Sequence, residues 1–296
     1  MIPVAEPNIG ALERRYVDEA LASGWISGGG PFVERFEASL AKACGAEWAV
    51  ATVTGTAALH LALAATGVQV GQNLGVPALS FIASANAVSY LGAKPVFYDI
   101  DANFTPDCQR VGPVFDAAPA VGNLDISTFD RLFALSFNGN KTISTGQGGA
   151  VIGNYAKDEH NVRHLAQVAR IQNSLYHYEH DEVGFNYRMS NVNAAIGCAQ
   201  LERLPEFVNI KCNIMRRYRE AGLQLLNSSW MAVLVVDSSH IRRDLFRKLH
   251  AVGIAAKPFW MPLYRQGAYR DWDTFWPNCE ALWRRLICLP CSTALT

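Results

Sequence analysis

Phe133-Ala-Leu-Ser-Phe-Asn-Gly-Asn-Lys-Thr-Ile-Ser-Thr-Gly-Gln-Gly-Gly-Ala-Val-Ile-Gly153 is the stretch that decides how this chain reads. A hydrophobic strand over 131–137 runs out into a polar loop holding one lysine, Lys141, and a pair of glycines leads into a second strand over 149–153. An amine presented off a buried strand, among small hydroxyl and glycine residues that leave room for a bulky ligand, suits Schiff-base chemistry on an aldehyde cofactor. Read alone, the same lysine is more simply a solvated loop side chain.

Two further segments change that balance. Val114-Phe-Asp-Ala-Ala-Pro-Ala-Val-Gly122 is a short strand ending in a carboxylate and small residues. This sets Asp116 at the carboxyl edge of a sheet, where open α/β sheets bind ligands. A carboxylate there can pair with the ring nitrogen of pyridoxal phosphate and keep it protonated, so that the ring accepts electrons from a carbanion. A helix or turn cap is the structural alternative for Asp116. Glu47-Trp-Ala-Val-Ala-Thr-Val53 is β-rich and is followed by Thr54-Gly-Thr-Ala-Ala58 and the apolar run Leu59-His-Leu-Ala-Leu-Ala-Ala65. Strand, glycine turn and helix start place the amides of Thr56 and Ala57 at a positive helix end that stabilises a phosphate. Many helices begin this way, so the order of the three segments carries the reading.

Composition excludes other classes. The 296 residues are enough for a large core, and half are hydrophobic. Lys and Arg (26) balance Asp and Glu (26), which leaves no basic footprint for nucleic acid. No apolar run approaches a membrane span, and Met1-Ile-Pro-Val-Ala-Glu-Pro7 lacks the features of a signal peptide, so a cytoplasmic location is expected. The seven scattered cysteines fit reduced thiols, and Cys288-Leu-Pro-Cys291 without a second pair is a poor zinc candidate. His160/His164 and His177/His180 read as surface histidines, and no metal is expected.

The pattern along the chain is α/β. Leu12, Tyr16, Val17, Ala20 and Leu21 predict an amphipathic helix ending near Ser23-Gly24, and Pro31 opens a second with Phe32, Phe36 and Leu40 on one face. Strand runs at 48–53, 74–79, 95–100, 113–116, 131–137 and 149–153 alternate with helical stretches, the pattern of a mostly parallel sheet covered by helices. A helix near 156–172, a polar loop, and a long helical region capped by Ser190 and running toward Leu226 follow. The last part, with strand-like Trp230–Val236, a helix over 241–252 and Ile254–Trp260, is α+β. Two domains are expected: 1–205, binding the cofactor, and 206–296, a linking helix and a smaller C-terminal domain.

These residues resemble the DegT/StrS-type sugar-nucleotide aminotransferases, pyridoxal phosphate enzymes of aminotransferase fold type I. The resemblance runs in register from about Trp25 to the C-terminus, through Gly24-Trp-Ile-Ser-Gly-Gly29, Gly55-Thr-Ala-Ala-Leu-His-Leu-Ala-Leu63, Pro77-Ala-Leu-Ser-Phe-Ile-Ala-Ser-Ala-Asn-Ala87, Gly92-Ala-Lys-Pro-Val-Phe-Tyr-Asp-Ile-Asp101, Ser136-Phe-Asn-Gly-Asn-Lys141 and Gly184-Phe-Asn-Tyr-Arg-Met-Ser-Asn191. It implies that Lys141 carries the cofactor as a Schiff base, Asp116 pairs with the ring nitrogen and Phe81 stacks on the ring. Thr56, Ala57 and Ser136 would hold the phosphate, joined by Asn186 from a second subunit of a homodimer. Arg188 and Ser27 would contact the substrate. Alone, Phe81 reads as a core aromatic, Ser136 as a strand-end hydroxyl, and Asn186 and Arg188 as loop residues.

The resemblance also implies the reaction. Glutamate would displace Lys141, which as a free amine moves the proton between substrate and cofactor, and a nucleotide-linked keto sugar would then take up the amine. Likeness to one branch of the family favours a UDP-linked 4-keto-6-deoxy-N-acetylhexosamine. The chain also departs from the family. Only Ala102 to Gly112 separates Asp101 from the Pro113 strand, too little for the usual inner strand and helix. The strands at 113–116 and 131–137 are expected to pair directly. Pro119 and Tyr264 stand where the family has a polar residue and a histidine. These departures keep a second reading open, a non-catalytic homologue that binds cofactor or nucleotide sugar without turnover.

Overall fold

The computed structural model describes residues 1–101, 104–171, 177–271 and 274–295. Two helices come first, α1 (Ala11–Ala22) and α2 (Pro31–Ala43), the latter with Pro31 at its first position. There follow β1 (Trp48–Thr52), α3 (Gly55–Ala65), β2 (Asn73–Pro77), α4 (Ile82–Tyr90), β3 (Lys94–Tyr98), β4 (Gln109–Val111), β5 (Val114–Asp116), β6 (Phe133–Ser136), β7 (Gly149–Gly153) and α5 (Ala156–Ala166). A short ribbon, β8 (Arg170–Ile171) and β9 (Glu179–His180), leads to α6 (Asn191–Glu202) and α7 (Leu204–Glu220). The C-terminal part holds β10 (Val233–Val235), α8 (Ser239–Ala251), β11 (Lys257–Pro258), α9 (Pro277–Trp283) and β12 (Leu286–Cys288).

The main sheet has the order β1-β7-β6-β5-β4, with β2-β3 as a separate parallel pair. Its faces are set by alternation along each strand. Ala49, Ala51, Phe133, Leu135, Ala150 and Ile152 pack toward α1, α2 and α6, where Phe36 meets Phe137 edge-on at 5.1 Å between ring centroids. Trp48, Val50, Ala134 and Val151 pack toward the apolar α3, α4 and α5. Both faces are covered, as expected of an α/β fold. Parallel pairing is less extensive than the pattern suggests: β5/β6 and β2/β3 are parallel, while β7 and β4 run against their neighbours.

The shortened segment has a definite solution. Phe115 pairs with Phe133 and Asp116 with Ala134, so the strands expected to close on each other do so. The space beyond β5 is filled by β4, which folds back through Gly112 at φ 55° and pairs antiparallel with β5. The Gly112 amide then donates to the Gly75 carbonyl of β2 at 2.9 Å, which ties the separate pair to the main sheet. A three-residue strand thus supplies backbone partners to β5 that would otherwise be left unpaired at about 1–3 kcal/mol each.

Several local expectations change. Leu21 is exposed and Glu13 takes a buried place on α1, because Glu13 accepts from the Gly10 amide (2.7 Å), Gln200 (2.7 Å) and Arg203 (3.1 Å). The helix expected over 156–172 stops at Ala166. Val168 and Ala169 turn to positive φ, and residue 172 lies outside the described residues. Ser190 caps α6 by accepting from the Asn193 amide, but the helical region breaks at Arg203 and ends at Glu220. The strands of the C-terminal part are short, ordered β10-β12-β11 and antiparallel throughout. All seven cysteines are free thiols. His164 is not a plain surface histidine, since its Nε2 lies 2.7 Å from Asp181. No helix among the described residues is long and apolar enough to cross a membrane.

Candidate active site

The site lies where β1, β5 and β6 end. Two glycines let backbone approach backbone there. A Cβ on Gly55 would come within 2.6 Å of the Ser136 Cβ, and one on Gly149 within 2.5 Å of the Thr54 carbonyl. The first turn of α3 is therefore pressed onto the ends of β6 and β7, leaving a cradle that a larger side chain would fill. Thr54 caps α3, its hydroxyl accepting from the Ala57 amide at 3.0 Å.

A cavity of about 350 Å³ opens from this cradle, within the range of small-molecule sites. Thr56, Phe81, Asp116, Ser136 and Lys141 all line it, so five of the expected site residues, from four separate segments, converge. Asp116 ends β5, with its carboxylate accepting from the Ser84 hydroxyl at 2.6 Å and the Ala118 amide at 3.2 Å. Phe81 stands at the start of α4 with its ring exposed to the cavity mouth. The Lys141 amine sits 4.1 Å from the centroid of the Trp230 ring. Burial pushes its pKa down to about 8, against the pull of the Asp116 and Asp107 carboxylates. A lysine so held has a usable share of neutral, nucleophilic amine near neutral pH.

The other four expected residues are elsewhere. Ala57 is buried behind the cradle and its amide is already taken by Thr54, so the capping hydroxyl competes for the donor expected to face a phosphate. Ser27, Asn186 and Arg188 do not line the cavity. They belong to a rim in which the 24–30 turn is zipped to the 186–191 segment. Gly28 bridges to Ser190, Arg188 bridges to Thr52, and the Asn191 amide donates to the Ser27 carbonyl at 2.9 Å. Asn186 and Arg188 are exposed on that rim.

Five contributors escaped sequence reasoning. Ser84, one helical turn after Phe81, steadies Asp116. Trp230 reads as the first residue of a strand but precedes β10, where its indole N–H donates to the Asn140 carbonyl at 2.8 Å and its ring covers Lys141. Trp260 stacks on Trp230, with centroids 6.2 Å apart. Gln109 enters from β4. Asp107 accepts from the Ser228 hydroxyl at 2.6 Å and from the Ser229 amide and hydroxyl at 2.5 Å each, anchoring the turn before Trp230. These partners lie about 30 to 120 residues apart, beyond the reach of any short-range signal.

The residues present suit pyridoxal phosphate: an amine for its aldehyde, a carboxylate for its ring nitrogen, an aromatic face, and a glycine-lined helix start with two hydroxyls for its phosphate. Comparison with known proteins agrees. A profile described as the DegT/DnrJ/EryC1/StrS aminotransferase family matches residues 7–114 and 112–296, and the two matches meet at the turn between β4 and β5. The chain is 32% identical over 359 positions to EpsN of Bacillus subtilis, described as a pyridoxal phosphate-dependent aminotransferase, covering 100% of this chain and 92% of that protein. Since those 359 positions accommodate 296 residues, the relative carries stretches that this chain lacks. It is 31% identical to a GDP-perosamine synthase of Escherichia coli O157:H7, covering 100% and 94% of the two chains. Among solved structures, the aminotransferase TlmJ from Streptoalloteichus hindustanus superposes with a TM-score of 0.89 at 28% identity, covering 100% of this chain and 94% of that one.

Proposed function

This chain belongs to the DegT/DnrJ/EryC1/StrS aminotransferase family, whose members use pyridoxal phosphate, and from that premise we propose that it transfers an amino group from glutamate to the 4-keto carbon of a nucleotide-linked 6-deoxy sugar. The observation that carries the reading is the enclosure of the Lys141 amine in one cavity with Asp116, Thr56 and Ser136. When bound, the cofactor supplies an aldehyde that accepts the amine and a ring that takes up electrons.

The chain's own groups divide the remaining work. Lys141 would supply the amine that holds the cofactor's aldehyde, and as a free amine it would serve as the acid/base for the proton on the donor carbon. A folded-state pKa of about 8 lets one group do both. Asp116, fixed by Ser84 and the Ala118 amide, holds the proton on the ring nitrogen. Phe81 covers the ring, and the hydroxyls of Thr56 and Ser136 with the start of α3 bind the phosphate. Trp230 and Trp260 wall the amine off from water.

The rim completes the assignment. Asn186 and Arg188, exposed in one chain, would reach the cofactor phosphate and the substrate of a second chain, making a homodimer with shared sites. Ser27, on the same rim, joins Arg188 in substrate binding. A chain with all cavity groups in place is better read as an enzyme than as a binding-only homologue. Likeness in the 24–27, 53–60 and 180–188 motifs favours a UDP-linked N-acetylhexosamine. Relatives named as GDP-perosamine synthase and as a dTDP-sugar aminotransferase make GDP- and dTDP-linked sugars the first alternatives.

The test is borohydride reduction of protein loaded with pyridoxal phosphate, followed by peptide mapping. The label is expected on Lys141, and a label on another lysine refutes the assignment. Incubation with glutamate and each of the UDP-, GDP- and dTDP-linked 4-keto sugars, read by mass spectrometry, then identifies the acceptor.

A further inference from the structure

His160 and His164 stand one turn apart on α5, with ring planes within 3° of parallel and centroids 6.0 Å apart. A histidine pair at this spacing lies on one helix face and binds transition-metal ions once further ligands complete it. The fold brings in those ligands from beyond the helix. The chain turns at Val168 and Ala169, both at positive φ, and returns with Asp181 and Glu182 beside α5. His164 Nε2 lies 2.7 Å from Asp181 and 3.8 Å from Glu182, and the three donor atoms fall within 4.8 Å of one another. His160 lines the same open cleft.

Both walls of the cleft are held by backbone pairing. The Phe185 amide donates to the Leu165 carbonyl at 2.7 Å, Tyr187 to Ala166 at 3.1 Å, Val168 to Phe185 at 3.1 Å and Asp181 to Ala169 at 3.3 Å. The arginines that face the cleft are engaged elsewhere. Arg163 holds Glu37 and Glu159 at 2.9 Å each, and Arg170 lies over the Tyr178 ring at 4.1 Å. Among the described residues, His164 is the only ion-pair partner of Asp181 and Glu182. A neutral imidazole with two carboxylates presents one nitrogen and two oxygen ligands and a double negative charge, which suits a divalent ion.

We propose that His164, Asp181 and Glu182, backed by His160 one turn earlier on α5, form a binding site for a divalent transition-metal ion of the zinc class. Bonds of about 2.0–2.2 Å draw the donors closer than they now stand, and the two carboxylates, both exposed, are free to rotate inward. The ion takes the place of the proton shared by His164 and Asp181, which passes to water. The site shares no lining residue with the Lys141 cavity, so its role is structural: it ties α5 to the segment that carries Asn186 and Arg188. It stands whatever sugar the cavity accepts.

The test is a calorimetric titration of the full chain, stripped of metal by a chelator, with zinc chloride, followed by thermal melts. Zinc at about one hundred times its dissociation constant should raise the melting temperature by about 4 °C. Glu182→Gln changes an exposed side chain and leaves the fold intact, and His164→Gln removes the nitrogen ligand. Each should weaken zinc binding by about tenfold to a hundredfold. Cys212→Ser, which removes the exposed thiol, should bind zinc as the unaltered protein does. No zinc-dependent rise in the melt, unchanged binding in either Glu182→Gln or His164→Gln, or loss of binding in Cys212→Ser overturns the proposal. None of these outcomes bears on the assignment of the Lys141 cavity, which the borohydride labelling tests separately.

Discussion

The cavity and the rim are built on opposite plans. In the cavity, Thr56, Phe81, Asp116, Ser136 and Lys141 come from segments far apart in the chain and meet at the carboxyl edge of one sheet. On the rim, the 24–30 turn and the 186–191 segment are locked by backbone pairing, with Met189 and Asn191 buried beneath and Asn186 and Arg188 facing outward. Trp25 is 56% exposed, Ile26 53%, and Asn186 and Arg188 are open to solvent. The cavity is assembled within one chain, whereas the rim presents Asn186 and Arg188 to solvent.

The largest effect that would sharpen this contrast is Lys141→Ala, which should abolish amino transfer and borohydride-stable labelling while leaving the fold intact, since the side chain points into the cavity. Circular dichroism of the variant checks the second half of that statement. Next in size is a mixing experiment across the two regions. Asn186→Ala alone should be strongly impaired, but random exchange with Lys141→Ala subunits restores one intact site in half the dimers, roughly a quarter of full activity. No recovery after demonstrated subunit exchange would break the division between cavity and rim.

Ligand-linked stability comes third. Pyridoxal phosphate at about one hundred times its dissociation constant should stabilise the fold by about 2.7 kcal/mol, read as a rise of several degrees in the thermal melt. Rim variants should reduce that rise less than cavity variants. The lysine also links site and fold through pH. Its pKa, about 8 against an ordinary 10.5, means the unfolded chain binds the proton more tightly, so unliganded stability rises as pH climbs from about 8 toward 10.5. The rate of cofactor capture tracks the neutral amine and should increase about tenfold between pH 7 and pH 9 before levelling. A flat profile across that window would show that Lys141 titrates elsewhere. The smallest change is Thr54→Val, which removes the α3 cap at a cost of about 1 kcal/mol in stability. Because it also frees the Ala57 amide, cofactor affinity should fall less than stability does.

The sequence by itself was enough for what depends on neighbours in the chain. The 2-residue alternation of β1, β6 and β7 dictates two covered faces, Pro31 and Ser190 mark helix starts, and the glycines at 55 and 149 announce a close approach. The strand-end positions of Asp116 and Ser136, and the loop that carries Lys141 beyond Ser136, followed from the same local rules, because a run of apolar residues ending in a polar one has few ways to sit in a sheet. Ser84 on Asp116, Trp230 over Lys141, Asp107 holding the 228–230 turn, and β4 folding back to place Gln109 beside Asp116 were decided only by the tertiary structure. Each joins segments whose separation along the chain carries no periodic signal. What selects them is the cost of leaving strand edges and buried polar groups unpaired, a quantity that exists only once the sheet is assembled.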